Sequence, residues 1–399
     1  MEAFLLTLGL ALIPIYTSAS GGIQYSHLIL ALLMAIRLIR MKWEIASAEA
    51  VLLTLSVLIL CRQTYSVLVQ NAPITGMLEV LYIAFAMLML FTFSRLQLDR
   101  KSMSRALIVG LAAAAIVSWI GIWQYGVSFK MSEGEIGRSV GTFNNPNQLA
   151  YFSICTFSLA SLLYLRDEMK VPLYLALTAS SLLLAIASLS KAGLLAIFFG
   201  AVVAVAAMLN RKKLSGKLIA ACLLISAAGA QLFNMGALDS FSFVHRIEGI
   251  GSDSDDNLTE RGYRSPLSHG PIGFLVGLGD DQVKKIVGHE VHSTFWSYLM
   301  KYGVVGLGLF LTFWYLWIRR TWAEFGLLGV LLINVPASFY GITHNGSRFA
   351  IFWLLIGLSF NLYRSGAIAP KPKKARYHPG VAAPYSGMAA IDWHASPRP

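Results

Sequence analysis

Charged residues are scarce in this sequence. Of its 399 residues only 13% are charged, against ~25% in a typical soluble domain, whereas 56% are hydrophobic. This balance argues against a water-soluble enzyme. The mean hydropathy of +0.63 comes from apolar runs close to the ~20 residues that a helix needs to cross a hydrocarbon core, separated by short polar breaks. We therefore predict an all-α integral membrane protein.

Cysteine is also rare. The three cysteines, Cys61, Cys155 and Cys222, lie in or at the ends of apolar runs, so the sequence does not predict a disulfide framework. Neither a C-x-x-C nor an H-E-x-x-H spacing occurs. We accordingly expect no metal and no cofactor.

The apolar runs predict about twelve transmembrane helices. Their expected positions are residues 3–19, 23–40, 45–61, 74–94, 105–125, 148–166, 172–189, 191–209, 217–236, 300–318, 324–343 and 348–364. The predicted loops on one face and the C-terminal tail contain 20 Lys and Arg residues. The short loops on the other face contain only Arg62, Lys130, Arg138, Lys191 and Arg348.

By the positive-inside rule, this asymmetry predicts that both termini are cytoplasmic. The formal net charge of +12 then reflects membrane topology. We do not expect a nucleic-acid partner, because basic residues spread thinly over many loops do not form the clustered footprint of such binders.

One connection is much longer than the others. Residues 237–291 form a predicted outer-face loop of about 55 residues between helices nine and ten. Loops longer than ~12–15 residues are usually functional or disordered, and this one combines a polar stretch at 251–264 with apolar stretches able to pack on the bundle. Residues 365–399 are rich in Pro, Ala, Gly and Lys and predict a disordered cytoplasmic tail. The expected membrane domain is therefore 1–364.

The predicted outer face gathers most of the unusual side chains. In or beside the large loop and in the short loops lie His245, Arg246, Arg261, Arg264, His269, His289, His292, Lys301, Lys191, His344 and Arg348. Basic groups at an interfacial cavity suit a diphosphate or another polyanionic head group, because one guanidinium group can bind two phosphate oxygens at once. The alternative is surface pairing of Arg261 and Arg264 with the nearby Asp253, Asp255, Asp256 and Glu260.

The segment HSTFWSYLMKYGVVGLG, residues 292–308, has the most informative pattern. Ser293 is placed to cap an amphipathic helix at the membrane interface. Glycines at 303, 306 and 308 permit close helix approach or local unwinding. His292 is either a hydrogen-bonded structural group or a base for a sugar hydroxyl, since histidine titrates near neutral pH.

Two other outer-face segments are candidates. In GTFNNPNQLAYF, residues 141–152, we expect Asn145 and Pro146 to form a turn and Asn147 to cap the following helix. The amides there also suit hydrogen bonds to sugar hydroxyls. In SLSKAGLLA, residues 188–196, we expect a tight outer-face turn between spans seven and eight. Lys191 there either snorkels to the interface or points its ammonium toward a phosphate.

Together these elements resemble the O-antigen ligase and Wzy-type polysaccharide polymerase superfamily of bacterial inner-membrane glycosyltransferases. The similarity extends over most of the chain. It includes the G-T-F-x-N-P-N loop at 141–147, a Ser-Lys-Ala-Gly turn at 190–193 where the family usually has Ser-Arg-Gly, and the large outer loop. It ends with His-Ser, nine residues and Gly-x-x-Gly at 292–306.

The resemblance implies metal-independent transfer of an undecaprenyl-diphosphate-linked glycan onto an acceptor hydroxyl at the periplasmic face of the bacterial inner membrane. Cationic side chains stabilise the leaving diphosphate in that chemistry while a base takes the acceptor proton. By position, His292 corresponds to the base or acceptor-orienting group. Arg261, or Arg264 as the less favoured choice, corresponds to the family's loop arginine. Lys191 stands where the family has another phosphate-binding arginine, and its ammonium lacks the fork geometry.

The remaining substrate-binding candidates follow from the same resemblance. His344 and Arg348 lie where a second outer-face contact with the acceptor is expected, and Asn145 and Asn147 are expected to shape their loop. Membrane lipid is the remaining expected partner.

Within the family we favour a Wzy-type polymerase, which extends an exopolysaccharide or O-antigen by joining lipid-linked repeat units. The alternative is an O-antigen ligase, which moves a finished glycan onto the lipid A core of lipopolysaccharide. A rival from another class is a lipid-linked oligosaccharide flippase or other transporter. Such a protein should have two similar six-helix halves, and spans one to six share no motif with spans seven to twelve. A membrane scaffold or sensor predicts instead that the outer-face His and Arg residues are replaceable.

Overall fold

The computed structural model describes residues 1–17, 24–40, 44–125, 139–210, 261–263 and 269–364. Every regular element in these ranges is helical, which confirms the predicted all-α class. The α-helices are α1 (Glu2–Ala11), α2 (Tyr25–Arg40), α3 (Ser47–Val69), α4 (Leu78–Phe93), α5 (Arg100–Tyr125), α6 (Pro146–Leu165), α7 (Val171–Ser188), α8 (Lys191–Asn210), α9 (Gly270–Val276), α10 (Asp280–Val287), α11 (Thr294–Gly329), α12 (Val335–Thr343) and α13 (Ala350–Arg364). A π-helical segment, Val330–Asn334, joins α11 to α12.

Within the described ranges, six helical stretches are long and apolar enough to cross a membrane: Ser47–Val69, Arg100–Gln124, Pro146–Leu165, Val171–Ser188, Lys191–Leu209 and Thr294–Thr343. The chain is therefore a multi-pass membrane protein. Helices overlap eleven of the twelve predicted spans, and the ninth, 217–236, lies outside the described residues. The total of twelve stays a prediction, because α1, α4 and α13 are apolar but shorter.

Helix α1 is shorter than the predicted span at 3–19. It ends at Ala11, and Leu12 is its C-cap. Pro14 explains this boundary, since proline disfavours helical geometry at the residue before it and has no N–H to continue the hydrogen-bonding pattern. Of the predicted outer loop 237–291, only 261–263 and 269–291 are described, and they contain α9 and α10.

Helix α6 forms the centre of the bundle. All of its residues from Gln148 to Leu165 are buried, as expected for a helix that is enclosed by other helices. It packs against α7, α8, α12 and α13. The ring of Tyr164 stacks on that of Tyr174 in α7 at a centroid distance of 4.4 Å. The tail at 365–399 lies outside the described residues.

The outer helices carry large apolar side chains on their exposed sides. On α5, Ile116, Ile120 and Trp123 are exposed, the last by 84%, and on α8 Phe198 is 62% exposed. Rows of this kind are unfavourable in water and suit contact with lipid tails.

Helices α11 and α12 belong to one helical stretch but form a hairpin. Gly326 has a φ of 64°, which breaks the helix. The indole nitrogen of Trp314 donates a hydrogen bond of 2.8 Å to Ser338 Oγ, 24 residues away, whereas a straight helix would separate them by about 36 Å. The predicted spans 300–318 and 324–343 therefore correspond to two antiparallel arms.

A second break, at Gly303, folds the start of α11 back on itself. Gly303 has a φ of 66°, and a Cβ there would collide with the carbonyl of Leu275. The rings of Tyr298 and Phe310 stack at a centroid distance of 4.1 Å across the break. The local unwinding that the glycine spacing allowed thus occurs at Gly303.

Residues 277–279 close this break. The backbone N–H of Leu278 donates to the carbonyl of Met300 at 2.9 Å, and that of Gly279 donates to the carbonyl of Lys301 at 3.0 Å. Both carbonyls precede the break, where helical partners are lost. Gly277 has no room for a Cβ against the backbone of Lys301. Residues 277–279 are thereby fixed to the start of α11.

Basic residues from two predicted cytoplasmic loops meet carboxylates at one end of the bundle. Arg95 pairs with Glu49, and Arg100 and Arg166 both pair with Glu168 at 2.8 Å. We call this the basic end.

The end of α13 connects the loop that contains Arg95 to the loop that contains Arg166. Arg166 donates to the carbonyl of Leu362, and Asn361 Nδ2 donates to the carbonyl of Leu96 at 2.8 Å. The predicted cytoplasmic loops that contain Arg95 and Arg166 therefore lie at the same end of the bundle.

Candidate active site

A cavity of about 160 Å³ lies at the end of the bundle opposite the basic end. It is bounded by the starts of α2, α6 and α13, the end of α12 and the segment before α11. Five of the residues predicted from the sequence line it together: His292, His344, Arg348, Asn145 and Asn147. They come from three separate parts of the chain.

His292 is positioned by the backbone on both sides of it. Its N–H donates to the carbonyl of Arg261 at 3.1 Å. The next residue, Ser293, caps α11 by accepting a hydrogen bond from the N–H of Trp296 at 3.2 Å, which confirms the predicted cap. The His292 side chain is exposed and lines the cavity, so a base at this position has access to a ligand.

The short connection from His344 to Arg348 is fixed to the start of α11. Thr294 donates to the carbonyl of His344 through its N–H at 3.2 Å and its hydroxyl at 3.1 Å. The same hydroxyl accepts from the N–H of Gly346 at 2.9 Å. As a result, the rings of His344 and His292 lie 6.4 Å apart, centroid to centroid.

Arg348 shares the cavity with a carboxylate that the sequence reasoning missed. Glu290 pairs with the guanidinium of Arg348 and accepts a hydrogen bond from Asn345 Nδ2 at 2.9 Å. Burial lowers the pKa of Arg348, but the carboxylates of Glu290 and Glu79, together with Tyr82, outweigh burial and keep that pKa above its usual value. Arg348 also lies over the ring of Tyr82, 5.8 Å from its centroid. The pair holds the guanidinium of Arg348 in the same cavity as His292.

The Asn-Pro-Asn turn differs from the prediction in one respect. The cap of α6 is Asn145, whose Oδ1 accepts from the N–H of Asn147 at 2.8 Å. The expectation that Asn147 is the cap was wrong, because Pro146 suits the first helical position, where no N–H is needed. Tyr340 donates to the backbone carbonyl of Asn147 at 2.7 Å, which joins α12 to this turn.

Arg261 lies next to the cavity but is not among its lining residues. Its Nη1 donates to the carbonyl of Thr343 at 3.2 Å, one residue before His344. Tyr263 donates to the carbonyl of Ile342, and burial raises the pKa of the Tyr263 hydroxyl. Residues 261–263 therefore cover the end of α12, and Arg264 lies outside the described residues.

Lys191 is the first residue of α8 and lies on the same end of the molecule. Helix α7 ends at Ser188, and Leu189 adopts a left-handed conformation with φ of 51°, so the turn is as tight as predicted. Gly193 packs closely against Ala150 of α6. Lys191 is not among the residues that line the cavity.

Lys301, one of the outer-face cations, forms two ion pairs. Its Nζ lies 2.9 Å from Glu79 and 2.8 Å from Asp280. Burial raises the pKa of Asp280, but the positive charges of Lys301 and Lys284 together lower it by more. The pKa of Asp280 therefore lies below its usual value. Two carboxylates from other helices thus neutralise Lys301.

Sequence reasoning also missed His27 and Tyr82, which line the same cavity. His27 packs against Phe85 at a ring-centroid distance of 5.6 Å. A usable signal existed for His27, because it lies at the predicted outer end of the second span. None existed for Tyr82, which lies inside an apolar run.

No family model and no curated protein matches the sequence. Among the described residues, no three His, Cys, Asp or Glu side chains are grouped so as to hold a metal ion. The nearby ring of His289 lies 5.1 Å from that of His292, but His289 does not line the cavity. The functional assignment therefore depends on the cavity and on the family resemblance of the motifs.

Proposed function

We propose that the protein transfers a glycan from a lipid diphosphate to an acceptor hydroxyl, as a Wzy-type polysaccharide polymerase. One observation carries this proposal: residues selected from separate sequence motifs, His292, His344, Arg348, Asn145 and Asn147, line a single cavity. The cavity lies at an end of a bundle of apolar helices, where a lipid tail can remain between helices while its polar head enters the cavity.

In the proposed topology the twelve helices span the bacterial inner membrane, with both termini in the cytoplasm and the cavity on the periplasmic side. The loop between helices nine and ten then lies outside the cytoplasm. The meeting of the basic loops at one end of the bundle, through Arg95, Arg100 and Arg166, supports this orientation, because cytoplasmic loops are enriched in Lys and Arg.

His292 acts as the base in this proposal. The acceptor oxygen attacks the anomeric carbon of the donor sugar, its proton passes to the imidazole, and the bond from that carbon to the diphosphate oxygen breaks. An imidazole suits this step, because histidine is the side chain that most often serves as a general base. The amides of Asn145 and Asn147 supply hydrogen-bonding groups for sugar hydroxyls in the same cavity.

Arg348 and Arg261 stabilise the leaving lipid diphosphate. Arg348 is the cation that lines the cavity, and Arg261 approaches from the large loop through its hydrogen bond to Thr343. Lys191 and Arg264 are further candidates from the resemblance. Glu290 holds Arg348 in place before the donor binds, so the incoming diphosphate competes with this carboxylate for the guanidinium.

The deciding experiment is reconstitution of the full chain in liposomes with undecaprenyl-diphosphate-linked repeat units, with and without a lipid A core acceptor. Growth of lipid-linked chains is the expected result. Transfer only to the core would identify a ligase, and movement across the bilayer without a new glycosidic bond would identify a flippase. Activity in excess chelator is also expected, and strict dependence on a divalent metal would contradict the mechanism.

A further inference from the structure

The segment after α1 and the start of α2 contribute two uncharged polar side chains to the candidate active-site cavity. Tyr16 and His27 line it, and neither takes part in the proton transfer or the diphosphate contact proposed above. The carboxylate and the guanidinium that line the cavity, those of Glu290 and Arg348, come from other parts of the chain. The wall formed by Tyr16 and His27 therefore offers a ligand neutral hydrogen-bonding groups.

A backbone hydrogen bond fixes the protonation of His27. The N–H of Gln24 donates to Nδ1 of His27 at 3.3 Å. A backbone N–H can only donate, so Nδ1 carries a lone pair and the imidazole proton lies on Nε2. Within the described ranges, the His27 side chain makes no other hydrogen bond. Its Nε2–H is thus a neutral donor for a ligand in the cavity.

Contacts with neighbouring segments hold His27 in place. Its ring packs against Phe85 of α4 at a centroid distance of 5.6 Å. Gln24, which orients the ring, accepts a hydrogen bond through its Oε1 from the N–H of Thr17 at 2.8 Å. This bond connects the start of α2 to the segment that contains Tyr16. The donor is therefore preorganised before a ligand binds, which reduces the entropy lost on binding.

Tyr16 supplies the second neutral group. Its N–H donates to the carbonyl of Thr142 at 3.2 Å, and its ring lies 5.2 Å from that of Phe143. The Tyr16 hydroxyl makes no hydrogen bond to any residue that the structure describes, and a hydroxyl can both donate and accept. An aromatic wall with a few placed polar groups is typical of a small-ligand site. This wall suits a sugar, whose hydroxyls also donate and accept.

We propose that His27 and Tyr16 bind a sugar of the lipid-linked repeat unit. The Nε2–H of His27 donates to one sugar oxygen, and the Tyr16 hydroxyl bonds to another, while the diphosphate is held by Arg348. This assignment rests on the proposed glycan transfer and adds residues that recognise the sugar.

Two substitutions of His27 separate sugar binding from a structural role. The amide in His27→Asn reaches the position of Nδ1, so it can still accept from the N–H of Gln24, but it does not extend to Nε2. The amide in His27→Gln extends to Nε2 and can donate there, but it loses the contact with Gln24. A sugar contact predicts that His27→Asn is impaired and His27→Gln is not, whereas a structural role predicts the reverse.

The measurement is lipid binding to the purified full chain in detergent by microscale thermophoresis. The two probes are undecaprenyl-diphosphate-linked repeat units isolated from the native host and undecaprenyl diphosphate without sugar. Wild-type protein should bind the sugar-bearing lipid more tightly. His27→Asn should weaken that binding roughly fivefold, which is about 1 kcal/mol at ~1.4 kcal/mol per tenfold and matches one neutral hydrogen bond. Binding of the lipid without sugar should not change, and His27→Gln should retain wild-type affinity for both.

A second variant keeps the test decisive if the substitutions of His27 impair folding. Tyr16→Phe removes only the hydroxyl and should also weaken binding of the sugar-bearing lipid alone. Tyr25→Phe is the matched control, because Tyr25 is 54% exposed and does not line the cavity. An equal loss in this control would contradict a specific contact.

The outcomes distinguish failure of the sugar contact from failure of glycan transfer. Unchanged binding in His27→Asn, or equal losses in His27→Asn and His27→Gln, would overturn the sugar contact even if the wild-type protein transfers glycan. An equal loss for both lipids would place His27 at the diphosphate and would equally overturn it. Wild-type protein that binds neither lipid would contradict glycan transfer itself, and the sugar contact with it.

Discussion

The carboxylate of Glu290 joins the guanidinium of Arg348 inside the cavity that also contains His292. Glu290 precedes the His-Ser box by two residues, whereas Arg348 belongs to the connection between α12 and α13. An ion pair between two segments 58 residues apart fixes the distance between the proposed base and the proposed diphosphate contact.

The first prediction concerns the charge of this pair. Glu290→Gln keeps an oxygen for Asn345 but removes the negative charge that neutralises Arg348. Purified protein should then bind inorganic pyrophosphate about tenfold more tightly. The reason is that a partly buried carboxylate a few ångströms from a bound anion repels it, which weakens binding by ~1–2 kcal/mol. Isothermal titration calorimetry measures this. Glu324→Gln, an exposed change far from the cavity, should have no effect, and unchanged affinity in Glu290→Gln would remove Arg348 from the diphosphate site.

The second prediction uses two neighbouring histidines. His292 lines the cavity and His289 does not, although their rings lie 5.1 Å apart. His292→Ala should reduce glycan transfer by 10²–10⁴-fold, the usual contribution of a general base, with the same amount of folded protein in the membrane. His289→Ala should retain activity within a few-fold. Equal activity of the two variants in the liposome assay would rule out the proposed base.

Local sequence signals predicted the parts of the site that depend on neighbouring residues. The Ser293 cap and the tight turn before Lys191 each follow from a few adjacent residues, and both are present. The glycines at 303, 306 and 308 left close helix approach and local unwinding as alternatives, and the unwinding occurs at Gly303. Glycine and serine at these positions affect the backbone directly, so no knowledge of the bundle is needed.

Contacts between distant residues were not predictable in this way. Lys301 pairs with Glu79, 222 residues earlier, and a single sequence gives no signal for that pairing. Glu290 was missed for a related reason, because its partner Arg348 comes near only after the α11–α12 hairpin has formed. The membrane pattern predicts how many apolar helices exist, but not which faces of these helices meet.

The third prediction tests the buried pair of Lys301. Asp280 and Lys301 are 2% and 5% exposed, so Asp280→Asn leaves a buried ammonium with one carboxylate fewer and should cost about 2–4 kcal/mol of stability. Asp281→Asn in the same helix should cost less than ~0.5 kcal/mol, because its partner Lys285 is 67% exposed. Thermal unfolding in detergent compares the two.

The same pair predicts a pH dependence. The pKa of Asp280 lies below its usual value, so its stabilising effect is present above the unfolded value of about 4 and is lost as the pH falls through the lower folded value. Wild-type protein should therefore lose stability below about pH 4, and Asp280→Asn should lose less over that range. Parallel acid-unfolding curves for the two proteins would exclude Asp280 as the cause.

The fourth prediction separates two glycines of the G-x-x-G-x-G run. Gly303 has a φ of 66°, and a Cβ there would collide with the backbone of Leu275, whereas Gly308 is helical and a Cβ there would contact nothing within 4 Å. Gly303→Ala should cost about 1–3 kcal/mol for the backbone conformation alone, and it should also weaken the docking of residues 277–279. Gly308→Ala should be neutral or stabilise the helix by up to ~1 kcal/mol.

The break at Gly303 also affects the position of the proposed base, His292. Residues 277–279 and the first turns of α11 hold each other through the carbonyls of Met300 and Lys301, and α11 begins at Thr294, two residues after His292. Gly303→Ala should therefore displace His292 and reduce glycan transfer more than its stability loss explains, even at a temperature where the variant is fully folded. Full activity in folded Gly303→Ala would mean that the break serves packing alone and that the position of His292 is set by Ser293 and by the carbonyl of Arg261.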